Sequence, residues 1–166
     1  DFPFKTIQFA LEMIDPTEED PVEIYLLEGT YSPSLTGETF PIIMMSHIDL
    51  IGAGEDVTIL DAEQTGRVIT MENCTNNTIT DLTITGGTAD FGGGMYLEES
   101  NPILTHVTIS DNTAYSGGGM RLNYSNPTLT HVTIANNTAY VGGGMNIVYF
   151  SYPTLTNVKI INNISI

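Results

Sequence analysis

GGGMYLEESNPILTHVTISDNTAYS, Gly92 to Ser116, runs directly into GGGMRLNYSNPTLTHVTIANNTAYV, Gly117 to Val141. A third copy, GGGMNIVYFSYPTLTNVKIINNISI, begins at Gly142 and takes one extra residue before Pro153. The period of 25 residues is too short for two helices with their turns and suits one turn of a solenoid. Within each copy the apolar residues alternate. Met95 and Leu97, Met120 and Leu122, and Met145 and Ile147 form one strand signal, and Val107 and Ile109, Val132 and Ile134, and Val158 and Ile160 form a second. Two or three short strands per copy, parted by Gly, Asn and Pro, describe a coil that bends at corners. Stacked coils pair each strand with its equivalent one turn later, which makes a parallel β-helix with interior columns of like side chains.

The corners carry their own signals. Asn112, Asn137 and Asn163 recur at one position, with Asp111, Asn136 and Asn162 just before them. Asn tolerates left-handed backbone angles and bonds to its own turn or to the amide above, so a column of it forms an internal ladder; the plainer alternative is a set of turn residues. Gly92, Gly93 and Gly94 and their copies suit a sharp bend. No helix signal or Lys-Ser/Thr pair follows them, as phosphate cradling requires.

GGGM with an apolar strand, then NP, HVTI and DNTA or NNTA, resembles the repeats of right-handed parallel β-helix proteins of the pectin-lyase-like superfamily. Bacterial surface and autotransporter repeats with a Gly-Gly corner and an Asn-Asn-x-Ala turn are among them. The resemblance implies the right hand, which spacing does not supply. TIQFAL, the acidic turn Asp15 to Asp20 and VEIYLLEGTY are similar to the entry of such domains, although Glu28 stands where Pro is usual.

The fold expected is therefore all-β, a single right-handed parallel β-helix of about six coils behind an N-terminal amphipathic helix. Residues 1–20 supply a capping helix (Phe4 to Ile14, with Ile7, Ala10, Leu11 and Ile14 on one face, stopping before Pro16) and an acidic turn. Residues 21–76 form irregular first coils. Residues 77–166 hold the regular repeats, with Leu82 and Ile84 aligned to Val107 and Ile109 and with Gly86 and Gly87 at the corner. The sequence stops at NNISI just past an Asn corner, where a solenoid needs a cap. The expectation is a native continuation beyond Ile166, with end-to-end self-association as the weaker alternative.

The chain has 166 residues, 41% apolar, with 20 acidic residues against four Lys and Arg and a formal charge of −16. That balance argues strongly against a nucleic-acid backbone or an anionic membrane surface as partner. Every acidic residue lies at or before Asp111, and beyond it the formal charges are Arg121 and Lys159. Cys74 is the only cysteine, which rules out an internal disulfide. No apolar run reaches transmembrane length.

Candidate chemistry is sparse. Asp81, His106, His131 and Asn157 share one outward column, which reads either as a divalent-metal site or as repeat copying; no metal is assigned. Tyr96, Arg121 and Asn146 form a neighbouring outward column. Tyr96, Tyr124, Tyr149, Phe150 and Tyr152 lie across the Met strand and the corner before Pro102, Pro127 and Pro153, where exposed aromatics beside Asn and Ser suit a polysaccharide. The substrate-binding candidates are Tyr96, Arg121, Tyr124, Tyr149, Tyr152, His106 and His131, with no catalytic residue. Asp15, Glu18, Glu19 and Asp20 read as a solvated turn; weak Ca²⁺ binding through charge density is the one cofactor alternative, since EF-hand spacing is missing.

Lyase chemistry of the resembled families needs an Arg or Lys beside a uronate, with Arg67, Arg121, Lys5 and Lys159 as the candidates. Hydrolase chemistry needs paired carboxylates, and that family's Asn-x-Asp, Asp-Asp and Gly-His-Gly pattern does not occur. The expected function is a non-catalytic extracellular or cell-surface module, structural or adhesive, binding a polysaccharide or cell-surface glycan. The alternative is part of a polysaccharide lyase or glycoside hydrolase.

Overall fold

A computed structural model describes residues 4–166. Its strands wind as one right-handed parallel β-helix of about six coils behind a single helix, the hand that parallel crossovers adopt. Three sheets run along the axis. We name them by the residues that recur in them.

The Met sheet joins Ile42–Ile43, Ile69–Glu72, Met95–Glu98, Met120–Asn123 and Met145–Val148. The Ala sheet joins Thr88–Phe91, Thr113–Ser116, Thr138–Val141 and Ile164–Ser165. The Thr sheet takes the remaining ten strands, among them Thr78–Thr85, Ile103–Ser110, Thr128–Thr130 and Thr154–Thr156. Every pairing is parallel, with Met95, Met120 and Met145 in register, and likewise Ile84, Ile109, Ile134 and Ile160. These columns fill the interior: Met95, Met120, Ile84, Ile109 and Ile134 are fully buried. In the last coil Ile160 is half exposed.

Two features differ from the expected coil. Each coil has four straight segments rather than two or three, because the Thr sheet bends at Asp81, His106, His131 and Asn157, all left-handed with φ of 57°, 50°, 54° and 53°. One left-handed residue breaks the two-residue alternation, so Leu104 and Val107, three apart, both point inward and are fully buried. The histidines consequently sit at a bend and not on a straight strand. The helix is also shorter than Phe4 to Ile14, spanning Ile7–Glu12. Thr6 caps it, accepting from the Phe9 N–H at 3.3 Å, and the Met13 N–H returns to the Ala10 carbonyl to end it. The buried Glu38 carboxylate, from the polar loop after Ser32, accepts the Ile7 and Gln8 N–H groups at 2.6 and 3.1 Å. This clamps the helix over the first coils, with Ile7, Ala10 and Leu11 facing in.

Ladders hold the corners. Asn112 and Asn137 are fully buried. The N–H groups of Gly87, Asn112 and Asn137 donate to Oδ1 of Asn112, Asn137 and Asn163 at 2.8, 3.0 and 2.9 Å. The left-handed angle falls to the residue before each, Asp111, Asn136 and Asn162. At the opposite corner the N–H groups of Cys74, Ser100 and Ser125 donate to Oγ of Ser100, Ser125 and Ser151 at 2.9, 3.1 and 3.0 Å. Cys74 heads this serine ladder, its thiol donating to the Met44 carbonyl at 3.3 Å. Burial pushes the thiol pKa up and leaves it unreactive.

At the glycine corner, Gly117 is left-handed (φ 72°) and Gly118 packs against the coil above, so a Cβ at Gly118 would lie 2.4 Å from the Gly143 carbonyl oxygen. Gly118→Ala is expected to destabilise the protein by about 2 kcal/mol, since the backbone itself must move. Thermal denaturation checks this, and an unchanged melting temperature would contradict the close approach.

Candidate functional site

Because Met95 and Leu97 point inward, Tyr96 and Glu98 point out of the Met sheet. Register places Thr70 and Glu72 beside them on the preceding coil, and Arg121 and Asn123, then Asn146 and Val148, on the following ones. The Arg67 guanidinium lies 4.8 Å from the centre of the Tyr96 ring and donates to the Phe91 and Gly92 carbonyls and to Thr70 Oγ1. Burial lowers its pKa, but four hydrogen bonds keep it a structural clamp rather than a free base. Arg121 rests 4.4 Å over the Phe91 ring, with one hydrogen bond to Ser116 Oγ at 2.7 Å. No carboxylate among the described residues pairs with it, so it retains free donors. Glu98 accepts from Tyr96 Oη and Asn123 Nδ2. Partial burial and the bond to Glu98 raise the Tyr96 pKa, which keeps the phenol a donor.

The aromatic side chains fall into three sets and not one. Tyr124, Tyr149 and Phe150 occupy the left-handed corner that follows the Met sheet, with φ of 49°, 47° and 55°. Tyr124 stacks on Tyr149 at 5.5 Å and 17°, Phe150 lies 6.3 Å from Tyr124, and all three are exposed. Tyr152 belongs to the next column, its N–H donating to Asn126 Oδ1 as Asn126 does to Asn101. Tyr115 and Tyr140, 5.4 Å apart, form an exposed pair on the Ala sheet. Sequence reading passed over this pair, although its recurrence one period apart in TAYS and TAYV was the available signal.

His106 and His131 stack at 5.1 Å and 12° on the bend of the Thr sheet. Asp81 Oδ1 lies 3.5 Å from His106 Nδ1, and Asn157 Nδ2 lies 3.0 Å from His131 Nε2. The pair is outward, as its position predicts, but on a different sheet from Tyr96 and Arg121. Among the described residues no group of three or more His, Cys, Asp or Glu is placed to hold a metal ion. Asp81 and Asp111 lie at separate corners, whereas Glu72 and Glu98, which sequence reading did not pair, stand in register on adjacent coils.

No helix among the described residues is long and apolar enough to cross a membrane. No curated protein and no solved structure matches the chain. The family model described as "Right handed beta helix region" matches residues 52–165, which takes in the glycine corners, both ladders and the whole of the Ala sheet. By that match, and by a coil whose register and corners repeat from the Met sheet to the last Asn, the chain belongs to the right-handed β-helix family.

Proposed function

We propose that this is a non-catalytic extracellular or cell-surface module, structural or adhesive, that holds a polysaccharide across the Met-sheet face and its aromatic corner. The observation that carries the reading is the Tyr124, Tyr149 and Phe150 stack. Flat apolar rings stand exposed at coil spacing beside Arg121 and Asn123, whose remaining N–H groups supply hydrogen-bond donors along the same edge. Such rings stack on sugar faces, and polar neighbours fix orientation. His106 and His131 lie off this face, and we give them no part in it. Arg121 adds a cation with free donors in coils that otherwise carry only Lys159.

Each aromatic contact contributes about 0.5–1.5 kcal/mol, so removing two is expected to weaken binding about tenfold or more. Affinity electrophoresis of Tyr124→Ala/Tyr149→Ala through a panel of neutral and acidic polysaccharides measures this. Retention of the wild-type protein by none of them, or equal retention of the variant, would overturn the reading.

One observation favours the second reading, a glycoside hydrolase. Glu72 and Glu98 stand in register on adjacent coils of one outward face, and acid–base cleavage of a glycosidic bond uses two carboxyl groups. Release of reducing ends by the wild-type protein, abolished in Glu98→Gln, would establish it in place of the first.

A further inference from the structure

The first straight segment of each coil in the Thr sheet presents two outward positions. Over four successive coils these are Thr78 and Thr80, Ile103 and Thr105, Thr128 and Thr130, and Thr154 and Thr156, in register throughout. The inward residues between them, Ile79, Leu104, Leu129 and Leu155, stack as one column. The outer surface is therefore a two-by-four lattice, seven threonines and one isoleucine, spaced about 4.8 Å along the axis and about 6.7 Å along the strand. Among the described residues only Thr80 engages its side-chain hydroxyl within the protein, donating to Asp81. The other six hydroxyls face solvent beside methyl groups. No charged side chain stands within the lattice.

Threonine is a common outward residue of strands, but the same repeats provide an internal comparison. On the Met sheet the equivalent outward rows are mixed, running through Thr70, Tyr96, Arg121 and Asn146 and through Glu72, Glu98, Asn123 and Val148. The Thr lattice is held to one residue type while its neighbour diverges. Its single exception, Ile103, keeps the branched methyl group.

We infer that this face binds ice. A rigid array of hydroxyls and methyls fixes water at two regular repeats, and the prism face of ice repeats at nearly the first of these spacings and at slightly more than the second. The hydroxyls supply hydrogen bonds to surface waters, while the methyls order the water between them. In-register pairing over the buried Ile79, Leu104 and Leu129 fixes the positions of the array, so little order has to be imposed on binding. Absence of charge matters because a strongly hydrated group would hold liquid-like water against the lattice.

The test is the shape and growth of single ice crystals in solutions of this 166-residue chain, together with recrystallisation of a frozen film. Faceted crystals and arrested recrystallisation are expected for the wild type. Thr105→Lys/Thr130→Lys, at the centre of the lattice, is expected to lose most of that effect while its circular dichroism is unchanged. Tyr140→Lys, on the Ala sheet, is expected to retain it. Round crystals that grow in the wild-type solution as they do in serum albumin would overturn the inference. So would a folded lysine variant as active as the wild type.

Discussion

Ile134→Asp is expected to yield no folded protein. Ile134 is fully buried and paired on both sides, to Ile109 and Ile160, in the column that runs through the regular coils. A carboxylate there faces the interior away from both cations beyond Asp111, since Arg121 lies on another sheet and Lys159, in register with Thr133, is exposed on the outer face. An unpaired buried charge costs about 4 kcal/mol or more after relaxation, against a total stability of about 5–15 kcal/mol for a domain. Soluble yield and the far-ultraviolet β signal report the outcome. Ile160→Asp makes the informative comparison, because Ile160 sits in the same column one coil later but is half exposed. That variant is expected to fold with a modestly lower melting temperature. A soluble Ile134→Asp protein melting within a few degrees of wild type would show that the column is not a continuous dry core.

Asn137→Ala is expected to lower stability by about 3–4 kcal/mol, more than the loss of one cap or one methyl group. Asn137 Oδ1 accepts from both the N–H and the Nδ2 of Asn112 at 3.0 Å, and its own Nδ2 donates to the Ile109 carbonyl at 2.9 Å and to Asn163 Oδ1 at 3.0 Å. Alanine leaves the buried Asn112 N–H and the Ile109 carbonyl without these partners in a site that water does not reach. Asn136→Gly, one residue earlier, separates the ladder from the bend. Asn136 is left-handed with φ of 57°, which glycine adopts freely, so that change is expected to be nearly neutral. Denaturant titration of the two variants should place their midpoints far apart. Coincident midpoints would mean that Asn137 serves only as a turn residue.

Most of the scaffold was legible because repetition converts weak local signals into strong ones. The inward Met and Ile columns, the Asn ladder and the glycine corner all follow from what recurs every 25 residues. The segment containing Leu104 and Leu129 was hidden by His106 and His131. A left-handed residue resets the in-out alternation, so an inward pair three apart in sequence reads as neither strand nor helix. The serine ladder was missed for a related reason. Ser100, Ser125 and Ser151 lie among turn-forming neighbours, and their recurrence alone does not reveal that each hydroxyl receives an amide from the coil before it.

Helix length was overread because Ile14 continues the apolar face of Ile7, Ala10 and Leu11, whereas Thr6 and Met13 provide the physical ends. The candidate site was the least legible part. Side-chain identities gave the outward columns, but Arg67 over Tyr96 and Arg121 over Phe91 join residues 29 and 30 positions apart in a way that no period predicts. Glu72 and Glu98 escaped notice because Glu72 precedes the first recognisable copy, and only sheet register sets them side by side.

The two buried ladders share a direction. At every rung an amide N–H of an earlier coil donates to a side-chain oxygen of a later one. These rungs add along the axis, but the Asn112, Asn137 and Asn163 Nδ2 groups donate back to the Ile84, Ile109 and Ile134 carbonyls of earlier coils and offset part of the sum, as does the exposed Asn101, Asn126 and Tyr152 chain. The rod nevertheless carries a permanent electric moment, negative toward its front, because every carboxylate side chain lies at or before Asp111 and the charges beyond it are Arg121 and Lys159. If the proposed ligand is an anionic glycan, this moment exerts a torque that turns the acidic coils outward and brings Arg121 and the Tyr124–Tyr149 corner to its surface. This alignment operates only within the screening length of about 8 Å at physiological ionic strength, so it governs how the protein lands and not how far away it is attracted.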